Sequence, residues 1–133
     1  MTPIAGGVAL NLALGCSVLT ILALLVYNRT LDHRLFLLGQ RLGLAISFFV
    51  FISTFILGYQ LFTSNFDIDY VARYTSYETP NIFKISALWA GQSGSLLFWL
   101  FILSIFNTIT IIQNQDRHLN LMPWVIITMS VIQ

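Results

Sequence analysis

The sequence predicts an all-α fold, a polytopic membrane helical bundle with three complete transmembrane helices and the start of a fourth. The 133-residue chain is 57% hydrophobic and only 8% charged, whereas soluble proteins carry about 25% charged residues. Its apolar residues fall in four runs, and three of these reach the roughly 20 residues that cross a bilayer as a helix. With a net charge of +1, the chain offers no basic surface for nucleic acid. Membrane lipid is therefore the partner that the composition predicts.

The first helix is predicted over residues 4–27. No basic residue precedes Arg29, and the apolar run is longer than the core of a cleaved signal peptide, so the run is interpreted as a membrane helix. Small residues recur at every fourth position of this run and form a stripe along one helix face, where a neighbouring helix can approach closely. The stripe consists of Ala5, Ala9, Ala13 and Ser17.

A polar connection over residues 28–41, which contains three arginines, separates this helix from the second, predicted over 42–62. Gly43 and Ser47 repeat the small-residue spacing of four in the second helix. A longer polar segment follows, and Pro80 near its end restricts the preceding residue to extended conformations. Pro80 therefore marks where the next helix can begin.

The third helix is predicted over residues 85–112, which would measure about 42 Å at 1.5 Å per residue. Because the hydrocarbon core is only about 30 Å thick, the first part of this helix is expected near the head groups. The last apolar run, 121–133, makes about 20 Å of helix and is too short to cross. The sequence is thus interpreted as one amino-terminal membrane region, 1–133, of a longer protein.

Lysine and arginine in the loops predict the orientation, because cytoplasmic loops carry the excess of these residues. The connection over 28–41 contains three of them, and the link after the third helix contains Arg117. The middle loop contains Arg73, has Lys84 at its boundary and also carries acidic residues. We therefore expect the middle loop and the amino terminus on the extracytoplasmic side.

The segment over residues 84–99, KISALWAGQSGSLLFW, is too polar and too rich in tryptophan for a helix that only crosses lipid. In a continuous helix at 100° per residue, its polar and aromatic groups share one face and its glycines lie opposite. One interpretation is that the polar groups join helices while the tryptophans lie at the membrane interface. The other is one wall of a site for a large flat ligand. No His, Met or Cys stands beside this face, so no metal site is predicted. The residues on this face are Gln92, Ser95 and Trp99, with Trp89 and Ser93 beside it, and the glycines roughly opposite are Gly91 and Gly94.

These residues also carry a resemblance to a known family. Tyr70-Val71-Ala72, Ser76, Pro80 and Lys84, followed by the tract ALWAGQSGSLLFW over 87–99, resemble the amino-terminal part of the CcmF/NrfE family. These proteins are heme lyase subunits of the bacterial cytochrome c maturation system. Many members have a His-Glu pair where this chain has Gln92-Ser93, so the ionisable pair is missing here.

The resemblance implies the amino-terminal part of a multi-pass inner-membrane protein in cytochrome c-type biogenesis. Such a protein takes part in delivering heme and attaching it covalently to apocytochrome c on the extracytoplasmic side. The partners implied are a heme chaperone, apocytochrome c and other maturation subunits.

The resemblance places Trp89, Gly91, Gln92, Ser93, Gly94, Ser95 and Trp99 near the heme-handling site, and Tyr70, Ser76, Pro80 and Lys84 in the extracytoplasmic loop. The family's heme-ligating histidines and tryptophan-rich segment lie further along than this sequence extends. No catalytic residue is therefore assigned, and this segment alone is expected to lack a complete active site. The alternative is a structural membrane subunit, or part of one, in a respiratory or transport complex without heme chemistry.

Overall fold

The computed structural model describes residues 2–63, 69–74, 76, 80–114 and 120–133. In these residues the secondary structure is helical, and no strand is present. The helices α1, α2 and α5 are long and apolar enough to cross a membrane, and α6 is a shorter apolar helix. The predicted all-α membrane bundle is confirmed. The helices are α1 (Thr2–Thr30), α2 (His33–Phe62), α3 (Asp69–Tyr74), α4 (Asn81–Ala90), α5 (Gln92–Gln113) and α6 (Met122–Ile132).

The first two helices form a hairpin with a turn much shorter than the polarity predicts. Helix α1 continues to Thr30 and α2 already begins at His33. The prediction that residues 28–41 connect the two helices is therefore wrong, because most of these residues are helical. The side chain of Asp32 caps α2 by accepting a hydrogen bond from the backbone N–H of Arg34 at 3.0 Å. Leu31 has a positive φ of 55°, a conformation in which the chain reverses. Hydropathy reports which residues suit lipid, whereas the cap determines where the helix starts.

Helix α2 lies at the centre of the bundle and contacts α1, α4, α5 and α6. Near the α1–α2 turn, buried apolar side chains of four helices pack into one cluster. A second cluster, with Ala13, Ile46 and Val50 at its centre, fills the middle of the bundle. The first cluster consists of Leu24, Phe36, Ile111, Met122 and Ile126.

The small-residue stripe of α1 lies partly in helix contacts, as predicted. Ala9 and Ala13 are buried, and the hydroxyl of Ser17 donates a hydrogen bond to the backbone oxygen of Ser130 in α6 at 2.7 Å. Ala5, by contrast, is exposed. The stripe thus serves two neighbours, α2 and α6.

A buried asparagine that the sequence analysis did not single out joins α2 to α5. Asn107 Nδ2 donates to the backbone oxygen of Gly43 at 3.0 Å and to Ser47 Oγ at 3.2 Å. Gly43 and Ser47 were predicted as a place of close approach, and both are buried. The absence of a side chain on Gly43 exposes its carbonyl to the neighbouring helix.

Candidate functional site

The tract that carries the resemblance forms two helices that meet at Gly91. Helix α4 ends at Ala90 and α5 begins at Gln92, while Gly91 has the extended dihedral angles φ −106° and ψ 161°. The single helix predicted over 85–112 is therefore wrong at this point. Glycine is among the weakest helix formers because it loses the most backbone freedom. The break also resolves the excess length, since the 22 residues of α5 make about 33 Å of helix.

Pro80 begins α4, as its conformational restriction predicts. Its backbone oxygen accepts hydrogen bonds from the N–H groups of Phe83 at 2.9 Å and Lys84 at 3.2 Å. Lys84 was predicted in the extracytoplasmic loop, but it lies in α4 and is only 8% exposed. Ser76 and Pro80 are exposed. Tyr70 lies in α3, and its side chain is outside the described part of the chain.

The outward side of the α4–α5 junction is an aromatic concavity of about 300 Å³, lined by Trp89, Ser95, Phe98 and Trp99. The ring centroids of Trp89 and Phe98 are 5.5 Å apart and their planes are inclined by 44°. Trp89 and Trp99 are 48% and 63% exposed. The surface therefore offers aromatic faces and edges to a ligand or to lipid.

The break at Gly91 creates this concavity. Phe98 follows Trp89 by nine positions, which in one continuous helix would put the two on opposite faces and about 13 Å apart along the axis. In the structure they are in ring contact because α4 and α5 have separate axes. Phe98 was not among the predicted site residues, since the continuous-helix wheel directs it away from Trp89.

One polar side chain, that of Ser95, lines the aromatic concavity, and its hydrogen-bond partner Gln92 is the first residue of α5. The hydroxyl of Ser95 donates to the backbone oxygen of Gln92 at 2.9 Å, which leaves the hydroxyl oxygen able to accept from another donor. The side chain of Gln92 is exposed and can both donate and accept. These groups can orient a polar substituent of a bound molecule.

The opposite face of α5 packs inward, as the wheel predicts for Gly94. Gly94 and Leu97 are buried, and together with Ser93 they line a cavity of about 230 Å³ between α1, α2 and α5. Ser93 was expected beside the polar and aromatic face, whereas it lies at the rim of this cavity. Gly91, at the break, is also buried.

The chemistry of the aromatic concavity is stacking and hydrogen bonding. None of its four described lining residues is a His, Cys or Met that could ligate iron. Over the described residues, no group of three or more His, Cys, Asp or Glu side chains is close enough to hold a metal ion. The described residues of the concavity can therefore contact a flat ligand along one side.

Comparison with known proteins identifies two cytochrome c-type biogenesis proteins as relatives. The chain is 41% identical over 51 residues to the cytochrome c-type biogenesis protein NrfE of Haemophilus influenzae, an alignment that covers 38% of this chain and 8% of NrfE. It is 30% identical over 102 residues to the cytochrome c-type biogenesis protein CycK of Bradyrhizobium diazoefficiens, which covers 77% of this chain and 16% of CycK.

The alignments thus cover only a small part of each of these relatives. No family model matches the chain, and no solved structure matches it. The resemblance to the CcmF/NrfE family that the tract over 87–99 predicts is confirmed by the similarity of this chain to two cytochrome c-type biogenesis proteins.

Proposed function

We propose that this chain acts in cytochrome c-type biogenesis, as part of a membrane protein that delivers heme and attaches it to apocytochrome c on the extracytoplasmic side of the inner membrane. Two relatives bear the name of that process. The observation that carries the proposal is the aromatic concavity, because it lies within the tract of family resemblance and has the character of a wall for a flat, largely apolar molecule. Its partners in this role are a heme chaperone, apocytochrome c and other maturation subunits.

Heme enters this proposal as the substrate. Its porphyrin ring is flat and aromatic, and offset or edge contacts with tryptophan and phenylalanine rings stabilise such a group by about 0.5–1.5 kcal/mol per pair beyond the burial of area. Its propionate oxygens accept hydrogen bonds, and the exposed amide of Gln92, whose backbone oxygen accepts from Ser95, can donate them. Axial ligands to the iron would come from elsewhere, since the concavity has none.

The covalent step in this proposal is addition of a cysteine thiol of apocytochrome c across a heme vinyl group. A carbon–sulfur bond forms, the thiol hydrogen moves to the other vinyl carbon, and neither an oxidant nor a reductant is consumed. Trp89 and Trp99 would contribute by holding the ring plane while the thiol approaches. They are positioning residues in this scheme and take part in no bond.

The orientation in this proposal is supported by the distribution of lysine and arginine. The α1–α2 turn, with Arg29 just before it and Arg34 just after it, is at the opposite end of the hairpin from the α4–α5 junction. A cytoplasmic position for this turn places the aromatic concavity at the extracytoplasmic end.

The test replaces Trp99 by alanine in the full-length protein and measures covalently bound heme in c-type cytochromes at equal protein level. We expect about a two- to tenfold loss of product, the effect of losing roughly 0.5–1.5 kcal/mol of ring contact. Trp99→Phe should recover most of the product. Trp124→Ala is the matched control, because Trp124 of α6 is similarly exposed, at 56%, and lies outside the concavity. Equal product from all three variants would refute the proposed role.

A second test concerns the polar side chains of Gln92 and Ser95. Gln92→Leu and Ser95→Leu, in the same full-length protein, should each lower the yield of c-type cytochrome if these side chains orient heme. Normal maturation with both variants would show that they serve packing alone. Normal maturation with every variant of the tract would favour the alternative, a structural membrane subunit without heme chemistry.

A further inference from the structure

We propose that the cavity between α1, α2 and α5, here called the inner cavity, binds the acyl end of a membrane phospholipid through its ester carbonyl. The inner cavity is separate from the aromatic concavity and lies on the opposite face of α5. The inference does not depend on the proposed function.

The walls of the inner cavity suit hydrocarbon. Apart from glycines, they are mostly aliphatic: Leu10 from α1, Ile56 and Leu57 from α2, and Leu97 from α5. The volume of about 230 Å³ admits part of an acyl chain but not a whole lipid. Apolar walls alone do not define a ligand, so the polar groups decide its chemistry.

Gln60 of α2 also lines the inner cavity and is only 1% exposed. Neither Oε1 nor Nε2 of its amide has a hydrogen-bond partner among the described residues. A buried amide without a partner is unfavourable, because folding removes its bonds to water without replacing them. A ligand that accepts a hydrogen bond from Nε2 removes the part of that cost that comes from the donor.

The start of α5 supplies a second set of donors. No side chain caps this helix, and its first internal hydrogen bond runs from the N–H of Ser95 to the oxygen of Gly91 at 2.9 Å. The N–H groups of the first three residues of α5, Gln92, Ser93 and Gly94, have no partner within the helix. Ser93 and Gly94 line the inner cavity. A helix start attracts groups that carry partial or full negative charge.

The polar groups together predict a ligand that mainly accepts hydrogen bonds. The hydroxyl of Ser53, the remaining polar side chain of α2 here, already donates to the backbone oxygen of Gly6 at 3.1 Å. The N–H groups at the start of α5 and the Nε2 group of Gln60 can therefore donate hydrogen bonds to a carbonyl oxygen of a ligand. An ester carbonyl joined to an acyl chain combines this acceptor with the hydrocarbon that the walls require.

The inner cavity is accessible from the outside of the bundle. A Cβ atom built at Gly7, on its rim, meets nothing within 4 Å, and Gly7 is exposed. The helices on all three sides are those long enough to cross a membrane, so lipid is a molecule that can reach this opening. Phospholipid is the abundant source of ester carbonyls near the ends of membrane helices.

The experiment reconstitutes the full chain in bilayers that contain a phospholipid with a photoreactive diazirine near the carbonyl of one acyl chain. After irradiation, labelled peptides are mapped by mass spectrometry. We expect labels on residues 6–10, 53–60 and 93–97. Gln60→Leu should lower this labelling about fivefold, the effect of losing one hydrogen bond, and Gly7→Leu should lower it by blocking the rim.

Two controls separate the site from general contact with lipid. Gly15→Leu adds the same side chain to an open position of α1 away from the inner cavity, and Gln113→Leu removes an exposed amide; neither should change the labelling. A parallel sample contains a diazirine fatty acid in place of the phospholipid. Unchanged labelling in Gln60→Leu and Gly7→Leu with native helix content, labels spread along all the helices, or stronger labelling by the fatty acid would each overturn the proposal.

Discussion

Replacing Gly39 by alanine should destabilise the α1–α2 hairpin more than the same change at an open helix position. Gly39 is buried in α2, and a Cβ atom there would lie 2.7 Å from Leu24 Cγ and 3.2 Å from Leu24 Cδ1 of α1. Leu24 is fully buried and packs in the cluster that contains Phe36. It cannot withdraw without disturbing that cluster, so the two helices must separate slightly.

The magnitude follows from two opposing effects. Overpacking a filled core costs about 1–3 kcal/mol, whereas alanine in place of glycine within a helix gains up to about 1 kcal/mol. Gly15→Ala provides the second effect alone, because a Cβ at Gly15 meets nothing within 4 Å. The free energy of unfolding of Gly39→Ala should therefore lie about 1–3 kcal/mol below that of Gly15→Ala.

The assay is unfolding of the chain in detergent micelles by increasing sodium dodecyl sulfate, followed by circular dichroism. Leu24→Ala alone should destabilise by about 2–5 kcal/mol by leaving a cavity. Combined with Gly39→Ala, the added methyl group enters that cavity, so the double variant should be more stable than the sum of the two changes predicts. Equal stability of Gly39→Ala and Gly15→Ala, or simple additivity in the double variant, would refute this account of the contact.

Three further changes test other contacts of the bundle by the same unfolding assay. Asn107→Leu should cost about 1 kcal/mol, since interhelical hydrogen bonds in membranes average about 0.6 kcal/mol and this side chain makes two; Asn114→Leu, which removes a bond within α5 only, should cost less. Asp32→Ala should cost about 0.5–2 kcal/mol by removing the cap of α2 and Asp32→Asn much less, and equal losses would argue against capping. Gly91→Ala should favour a continuous helix by up to about 1 kcal/mol and alter tryptophan fluorescence, and an unchanged spectrum would show that packing alone maintains the break.

The sequence predicts the fold class because lipid imposes simple rules on composition and length. A low charge content and long apolar runs identify α1, α2 and α5 as membrane helices. The small residues Ala9 and Ala13 identify a face of close approach, and Pro80 identifies a helix start. Each of these predictions depends on the local chain alone.

The features that sequence reasoning misses depend on neighbours in space. Asn107 lies in an apolar run with nothing to indicate that its partners are 60 or more residues away in α2. Gln60 is also missed from sequence, because only the packed structure shows that its amide is buried without a partner. The start of α2 is missed for another reason, since a polar residue such as Arg34 can extend a helix beyond the hydrocarbon without changing its hydropathy signal.

The break at Gly91 explains how one short tract contributes to two different surfaces. A continuous helix would point Trp89 and Phe98 in opposite directions, and the outward side of the junction would have no concavity. With separate axes, α4 brings Trp89 onto Phe98, while α5 gains an uncapped start whose N–H groups lie beside the inner cavity. Both surfaces therefore depend on the same residue. This dependence gives a physical reason for a glycine at position 91, at the centre of a tract that would otherwise form one long helix.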